Sequence, residues 1–317
     1  MQGSIPNEIG QLSKLQELYI SSNSLTGVLS EDHFAKLGEL KLLDLSRNLF
    51  ALNVSSWWVP PFQLREIMMS SIKVGPLFPA WFGVLCYDIG LVDFSDNNLT
   101  WNPLEFKQMK KSPPDGNSPS IALKSNKLDG SLKSFPSYIY ELDLSQNFFT
   151  GHIPLPDVGQ TVASTRFLTL SDNHFTSSIP EDLCKLENLE YLDLSNNFLS
   201  GRVPLCLGNL PDLWVLNLAN NSLCGQIPSS LGNLGQLWIL HLNRNKFVGK
   251  LPSSMRSLRN LQILDLGDNG LTDIIPTWIG ERLSKLKFLR FQSNNFHHAM
   301  MEPRGAEGGL SFENFNS

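Results

Sequence analysis

Apolar residues recur along the chain in one phrase, L-x-x-L-x-L-x-x-N, in which leucines alternate with polar residues and an asparagine closes the run. The copies read LQELYISSN ending at Asn23, LKLLDLSRN at Asn48, YIYELDLSQN at Asn147, TRFLTLSDN at Asn173, LEYLDLSNN at Asn197, LWVLNLANN at Asn221, LWILHLNRN at Asn245, LQILDLGDN at Asn269 and LKFLRFQSN at Asn294. Weaker copies end at Asn97 and Asn126, and a twelfth places Ile72 where the asparagine belongs. From Asn173 to Asn269 the period is 24 residues four times running. A fixed period of this size is the mark of a stacked-repeat architecture. Alternation predicts a short strand with one buried face, so that Leu189, Leu192 and Leu194 point into a coil while Tyr191, Asp193 and Ser195 point out. Coils of this kind pair side by side into a parallel sheet.

Each coil must turn sharply after its strand, and the turn strands backbone N–H and C=O groups. A buried asparagine amide supplies both a donor and an acceptor to them. The asparagine column is therefore expected to be a structural ladder rather than a catalytic set. At Ile72 that service is missing, at an expected cost of roughly 1–3 kcal/mol for any group left unsatisfied.

A second phrase follows each asparagine: FFTGHIP (148–154), FLSGRVP (198–204), SLCGQIP (222–228), KFVGKLP (246–252) and GLTDIIP (270–276). Its glycine permits tight backbone geometry, and its proline fixes φ and stops a strand. The remainder of each repeat, such as SSLGNLGQL (229–237), is too short for a long helix and predicts a 3-10 or irregular back side. These phrases together resemble the plant-specific leucine-rich repeat. The fold that the resemblance implies is an α/β-type solenoid, a curved or superhelical horseshoe with a parallel sheet on its concave face.

One solenoid of about twelve repeats is expected over residues 1–296. Spacing departs from 24–26 residues only between Asn97 and Asn147, where it is 29 and then 21, and a surface loop is expected at 101–120. Its Lys107, Lys110 and Lys111 are either a basic contact or a solvated loop face. In "NLFALNVSSWWVPPFQLREI" (48–67), Trp57 and Trp58 are read as back-side core in preference to a ligand shelf. Residues 297–317 abandon the repeat, and their Gly, Glu, Ser and Asn content predicts a disordered tail.

Several stretches sharpen the resemblance: "SWWVPPFQLREI" (56–67), "VGPLFPAWF" (74–82), "LDLSNNFLSGRVPLCLGNLPDLWVLNLANNSLCGQIPSS" (192–230) and "DIIPTWIGERLSKLKFLRFQSNNFH" (273–297). They are similar to plant receptor-like proteins related to the receptors for fungal ethylene-inducing xylanase. The resemblance implies a plasma-membrane protein that recognises a microbial or endogenous protein or peptide on the extracellular side and signals through a partner receptor kinase. The family's cysteine-bearing cap, membrane span and tail have no counterpart here, and "FPAWFGVLCYDIGLVDFSDN" (78–97) is expected to fuse two family repeats. The opening "MQGSIP" matches the second half of a repeat such as LSGRVP, so the chain is expected to be the middle of a longer recognition domain. Bare solenoid ends predict aggregation or marginal stability for the chain alone. The alternatives are a secreted inhibitor resembling the polygalacturonase-inhibiting proteins, or a truncated decoy or pseudogene product.

The net charge of −5 argues against a nucleic-acid or anionic-membrane partner. The first 25 residues contain no recognisable secretory signal, and no apolar run is long enough to span a bilayer. Of the four cysteines, Cys184 and Cys206 occupy back-side positions of adjacent coils offset by two residues, at about the spacing a disulfide needs, and are expected to pair in preference to staying free buried thiols. Cys224 and Cys86 are read as small buried residues. Asn53, Asn98 and Asn220 open Asn-x-Ser/Thr sequons, candidate glycan sites in a secreted context.

A solenoid's inner face is its usual binding surface. At its central position the five aspartates Asp44, Asp93, Asp143, Asp193 and Asp265 recur with the repeat. The candidate ligand residues are those that depart from it: Tyr19, Met68, Asn217, His241 and Arg290, flanked by Trp214, Trp238, Arg244 and Gln292. Aromatics and arginine are the types that dominate interface energy. A further apolar column, Phe167, Tyr191, Val215, Ile239, Ile263 and Phe288, is read as repeat pattern in preference to a docking stripe. No nucleophile elbow, phosphate loop, kinase signature or zinc motif is present. The His297–His298 pair lies in the tail. No enzyme, metal or cofactor is therefore expected.

Overall fold

The computed structural model describes residues 2–77, 79, 81–82, 89–100, 118–157 and 163–297. The expected lysine loop, Cys86 and the tail beyond His297 lie outside the described residues, as does part of the expected fused repeat.

Twelve short strands form one parallel sheet, and each defines a coil. In chain order, coils 1 to 12 carry Glu17–Tyr19, Leu42–Asp44, Glu66–Met68, Leu91–Asp93, Ser120–Ala122, Glu141–Asp143, Phe167–Thr169, Tyr191–Asp193, Val215–Asn217, Ile239–His241, Ile263–Asp265 and Phe288–Arg290. Neighbours in sequence are neighbours in the sheet, and register is strict: Leu168 pairs with Leu192, Leu192 with Leu216 and Leu216 with Leu240. The sheet runs without interruption from coil 3 to coil 4, where Glu66 pairs with Leu91. Ser120, at the end of the expected loop, instead opens the strand of coil 5.

The strand leucines form one continuous core with a spine of fully buried phenylalanines that includes Phe149, Phe175 and Phe247. Phe149 and Phe175 stack with ring centroids 6.1 Å apart. Each such side chain contributes roughly 1.5–3 kcal/mol by leaving water.

The turn after each strand explains the asparagine column. The residue just before the ladder position has φ between 53° and 56° in all twelve coils, and none of the twelve is glycine. A left-handed conformation disfavours residues with a Cβ by roughly 1–2 kcal/mol. The asparagine offsets that cost. Asn197 donates to Leu170 O (3.0 Å), Leu194 O (3.2 Å) and Ser195 O (3.0 Å), and its Oδ1 accepts from Phe175 N (3.0 Å). The same set recurs at Asn173, Asn221, Asn245, Asn269 and Asn294. Asn48, Asn126 and Asn147 bond likewise, and Asn23 donates to Ile20 O and Ser21 O.

At Ile72 the turn keeps its shape, with Ser71 at φ 53°, and Ile72 itself is buried. Ile72 thus replaces an amide by packing and itself brings no side-chain oxygen to Phe50 N–H. One coil further on, Asn97 donates to Met69 O, Phe94 O and Ser95 O, while its Oδ1 is buried with no partner among the described residues.

The second phrase makes a second parallel sheet, which the repeat pattern had not separated from the back side. Its seven strands include Phe148–Gly151, His174–Ser177, Phe198–Gly201, Ser222–Gly225 and Lys246–Gly249. Prolines 180, 204, 228 and 252 end this sheet and cap five-residue 3-10 helices at Glu181–Lys185, Leu205–Asn209, Ser229–Asn233 and Ser253–Ser257. Adjacent 3-10 turns approach so closely that a Cβ on Gly208 would lie 2.2 Å from Ser230 O, which accounts for the glycine in LCLGNL.

On this back side Cys184 and Cys206 form a disulfide with Cα atoms 5.9 Å apart. Cys224 is free and only half-buried, so it is not the buried residue expected. The tryptophan pair also divides. Trp58 packs against Phe34, Phe62 and Trp81 at 5.5–6.1 Å. Trp57 is 83% exposed, contrary to the expectation of a core role: it sits at the tip of a turn closed by Trp58 N–H donating to Ser55 O at 3.1 Å, which leaves Trp57 outside and carries Trp58 back to the core.

Candidate functional site

The inner-face aspartates turn out to be committed on one oxygen. Oδ1 of Asp44, Asp93, Asp143, Asp193 and Asp265 accepts the backbone N–H two residues on, at 2.9–3.1 Å. Asp193 and Ser195, expected to point outward, are consequently buried, with the Ser195 hydroxyl donating to Asp193 Oδ1 at 2.6 Å. Asn217 takes over the same role in coil 9. Its Oδ1 accepts from Ala219 N at 3.2 Å, and its Nδ2 donates to Asp193 Oδ2 at 3.1 Å and Ser195 Oγ at 3.2 Å.

The other candidates sort by geometry. Tyr19 is exposed and Met68 half-buried on coils 1 and 3, six or more strand spacings from Trp214, roughly 30 Å away at 4.8 Å per strand. The structure does not bring them to the tryptophan cluster. Arg290 is held by two carboxylates, Asp268 at 2.7 Å and Asp265 at 3.5 Å, and is only 27% exposed. Arg244 is 63% exposed, with a single contact to Asp268 at 3.8 Å. Gln292 is exposed, and its carbonyl accepts from Asp268 N at 2.8 Å. His241 is half-buried between Asn217 and Asp265 in the ladder. Burial pushes its imidazole below the ordinary histidine range, while Asp265 and Asp193 pull the other way.

The strongest feature of the face is a chain of rings. Tyr140, Phe167, Tyr191, Trp214 and Trp238 follow one another across coils 6 to 10, with successive centroids 5.5, 6.4, 5.9 and 5.7 Å apart. Burial, followed by Asp193 and Asp143, raises the Tyr191 phenol. Three of the rings, Tyr140, Trp214 and Trp238, sit one residue before the strand proper. Each such edge residue extends the ladder: Trp214 N bonds Glu190 O and Trp238 N bonds Trp214 O. Arg166 and Glu190 occupy the same column and form an ion pair, and the Arg166 guanidinium lies 6.0 Å from the Tyr140 ring centre. Between the edge residues opens a cleft of about 420 Å³, lined by Arg166, Glu190, Asp212, Trp214, Gln236 and Trp238.

Attention to the central outward column passed over Arg166, Glu190, Asp212 and Gln236. The available signal was the first x of L-x-x-L, which reads Tyr140, Arg166, Glu190, Trp214 and Trp238 on consecutive coils.

The sequon asparagines Asn53, Asn98 and Asn220 are exposed. Asn220 occupies a left-handed turn position and donates to Asn196 Oδ1 at 2.8 Å. Among the described residues no group of three or more His, Cys, Asp and Glu side chains could hold a metal ion, and no helix is long and apolar enough to cross a membrane.

Family models described as leucine rich repeat match residues 4–50 and 163–223, and a second matches 260–281. Receptor-like protein EIX2 of Solanum lycopersicum is 39% identical over 167 residues, which cover 50% of this chain and 15% of that protein. Receptor-like protein EIX1 of the same plant is 37% identical over 138 residues, 41% of this chain and 12% of that protein. The chain thus spans only a small part of the length of either relative. The ectodomain of the Arabidopsis thaliana membrane receptor kinase GASSHO1/SCHENGEN3, solved in complex with CASPARIAN STRIP INTEGRITY FACTOR 2, superposes with a TM-score of 0.75. Its identity is 27%, over 93% of this chain and 37% of that one. A TDR receptor superposes with a TM-score of 0.70 at 28% identity, over 93% of this chain and 54% of that one. The chain is a leucine-rich repeat solenoid of the kind found in plant receptor ectodomains, and in sequence it resembles the receptor-like proteins EIX1 and EIX2.

Proposed function

We propose that this chain is part of the extracellular recognition domain of a plant cell-surface receptor-like protein, binding a protein or peptide along its inner face in defence signalling. The observation that carries this reading is the ring chain from Tyr140 to Trp238 with its charged cleft, on the face that solenoids use for binding. Partly exposed indoles beside carboxylates and a guanidinium are the composition of an interface hot spot. Sequence similarity to proteins named receptor-like supports the receptor reading over a secreted inhibitor. Plasma-membrane anchoring, a partner receptor kinase and glycans at Asn53, Asn98 and Asn220 belong to the same proposal. The role is binding rather than catalysis.

The test is selection of ligands from a displayed random-peptide library on the 317-residue chain. Binding of the selected peptides to a variant with Trp214, Trp238, His241 and Arg244 replaced by alanine is then measured. Loss of binding with retained melting temperature is expected. Unchanged binding would remove this patch from the surface.

A further inference from the structure

The geometry points to the cleft between coils 7 and 10 as a site for the guanidinium of an arginine side chain on a peptide ligand, a specificity that rests on the proposed inner-face reading. Three observations carry it.

The first is charge. Among the inner-face strands and edge residues from coil 6 to coil 11, Glu141, Asp143, Glu190, Asp193 and Asp265 are carboxylates, and Asp212 adds another in the cleft. The cation within these strands and edge residues is Arg166; Arg244, in the turn of coil 10, lies beside Asp268, and Arg290 of coil 12 pairs with Asp265 and Asp268, so the cleft itself keeps an acidic excess. A concave surface with an excess of one sign and apolar walls focuses its field and concentrates ligands of the opposite sign.

The second is how Arg166, the cation that lines the cleft, is used. Arg166 is engaged by Glu190 on one side and lies over the Tyr140 ring on the other. Asp212 has no ion pair among the described residues, while Arg166 feels its charge from across the cleft. One carboxylate in the cleft is therefore neutralised within the chain and one is left for a ligand.

The third is the wall. Trp214 and Trp238 lie 5.7 Å apart with their planes inclined at 55°, and Trp238 is 47% exposed. Indole faces attract cations, and a planar guanidinium both stacks on an indole and forks onto a carboxylate. The pair Arg166–Tyr140 already shows this contact inside the same column. A lysine ammonium would satisfy the charge but not the planar stacking, and an acidic side chain would meet repulsion.

The experiment uses the full chain with its indole nitrogens labelled with nitrogen-15, giving signals from seven tryptophans. Those of Trp214 and Trp238 are assigned with Trp214→Phe and Trp238→Phe. The probes are acetyl-Gly-Arg-Gly-amide and its citrulline isostere, which keeps the shape and loses the charge. The arginine peptide is expected to shift both signals saturably, with a midpoint at least tenfold lower than that of the citrulline peptide. Asp212→Asn should raise the arginine midpoint severalfold while leaving the Trp278 signal and the melting temperature unchanged. Equal midpoints for the two peptides would overturn the arginine specificity and leave the inner face as a peptide site. Absence of any shift at Trp214 and Trp238 with either peptide would overturn it as well. Ligand binding elsewhere on the inner face, read from the selected peptides above, stands or falls separately.

Discussion

The Oδ1 atom of Asn197 accepts the backbone N–H of Phe175 at 3.0 Å, a bond that ties one coil to the coil before it and is repeated along the solenoid. Because the same amide also donates to three carbonyls, no other side chain of similar size makes all four bonds. Asn197→Ala is expected to lower the unfolding free energy by about 2–4 kcal/mol, since it leaves several buried groups unpaired. Asn197→Asp, which keeps the acceptor and loses the donor, should be destabilising too. Urea denaturation of the three chains checks this, and a change under about 0.5 kcal/mol would place the ladder's role elsewhere.

The Cys184–Cys206 bridge closes a segment of 22 residues. Chain-entropy arguments give a loop of that length about 3 kcal/mol of stabilisation. Cys184→Ser with Cys206→Ser should lower the melting temperature, and loss of amide protection is expected first in the two 3-10 helices that the bond joins. Hydrogen exchange of the two chains reads both effects.

The two inner-face arginines near Asp268 should separate by experiment. Arg290→Ala strips a partner from both Asp265, which is nearly buried, and Asp268, and is expected to destabilise the chain by about 1–3 kcal/mol. Arg244→Ala removes one long, exposed contact and should stay within about 0.5 kcal/mol. Any effect of Arg244→Ala on ligand binding would therefore report recognition, whereas one of Arg290→Ala would also report folding. Thermal melts of both variants decide it.

Acid should expose the burial of His241. Its folded pKa lies below the unfolded value of about 6.5, so as pH falls through that value the unfolded chain binds more protons and the native state loses stability. Above it, both states are neutral and the residue contributes no pH dependence. His241→Gln should remove this share of the loss. The melting-temperature difference, wild type minus variant, is expected to fall between about pH 7.5 and about pH 5.5. A difference that stays constant would contradict the burial argument.

The fold was legible because its determinants are local and repeated. Leu192 and Asn197 each state their environment by position alone, and twelve copies make the statement redundant. The Cys184–Cys206 pair could be read for the same reason, since two coils in register place equivalent positions side by side. What the repeat does not encode was harder. Trp57 and Trp58 are adjacent and chemically alike, and only the turn from Ser55 to Trp58 leaves one out and sends the other in. Arg290 and Asn217 looked like free departures from the pattern, yet Arg290 is consumed by Asp265 and Asp268, and Asn217 replaces an aspartate in the turn. The cleft was missed because its walls come from a column one residue outside the strand, where Trp214, Trp238 and Glu190 meet only after the coils stack. The second sheet escaped because FLSG and its equivalents are four residues long and pair only across coils.

The most direct measurement is amide hydrogen exchange of the 317-residue chain with and without a saturating peptide taken from the displayed library. If the inner face is the recognition surface, added protection will fall on the segments around 166–169, 190–193, 214–217 and 238–241, with little change in the 3-10 helices behind them. Protection confined to the second sheet or to the 3-10 side would contradict the account.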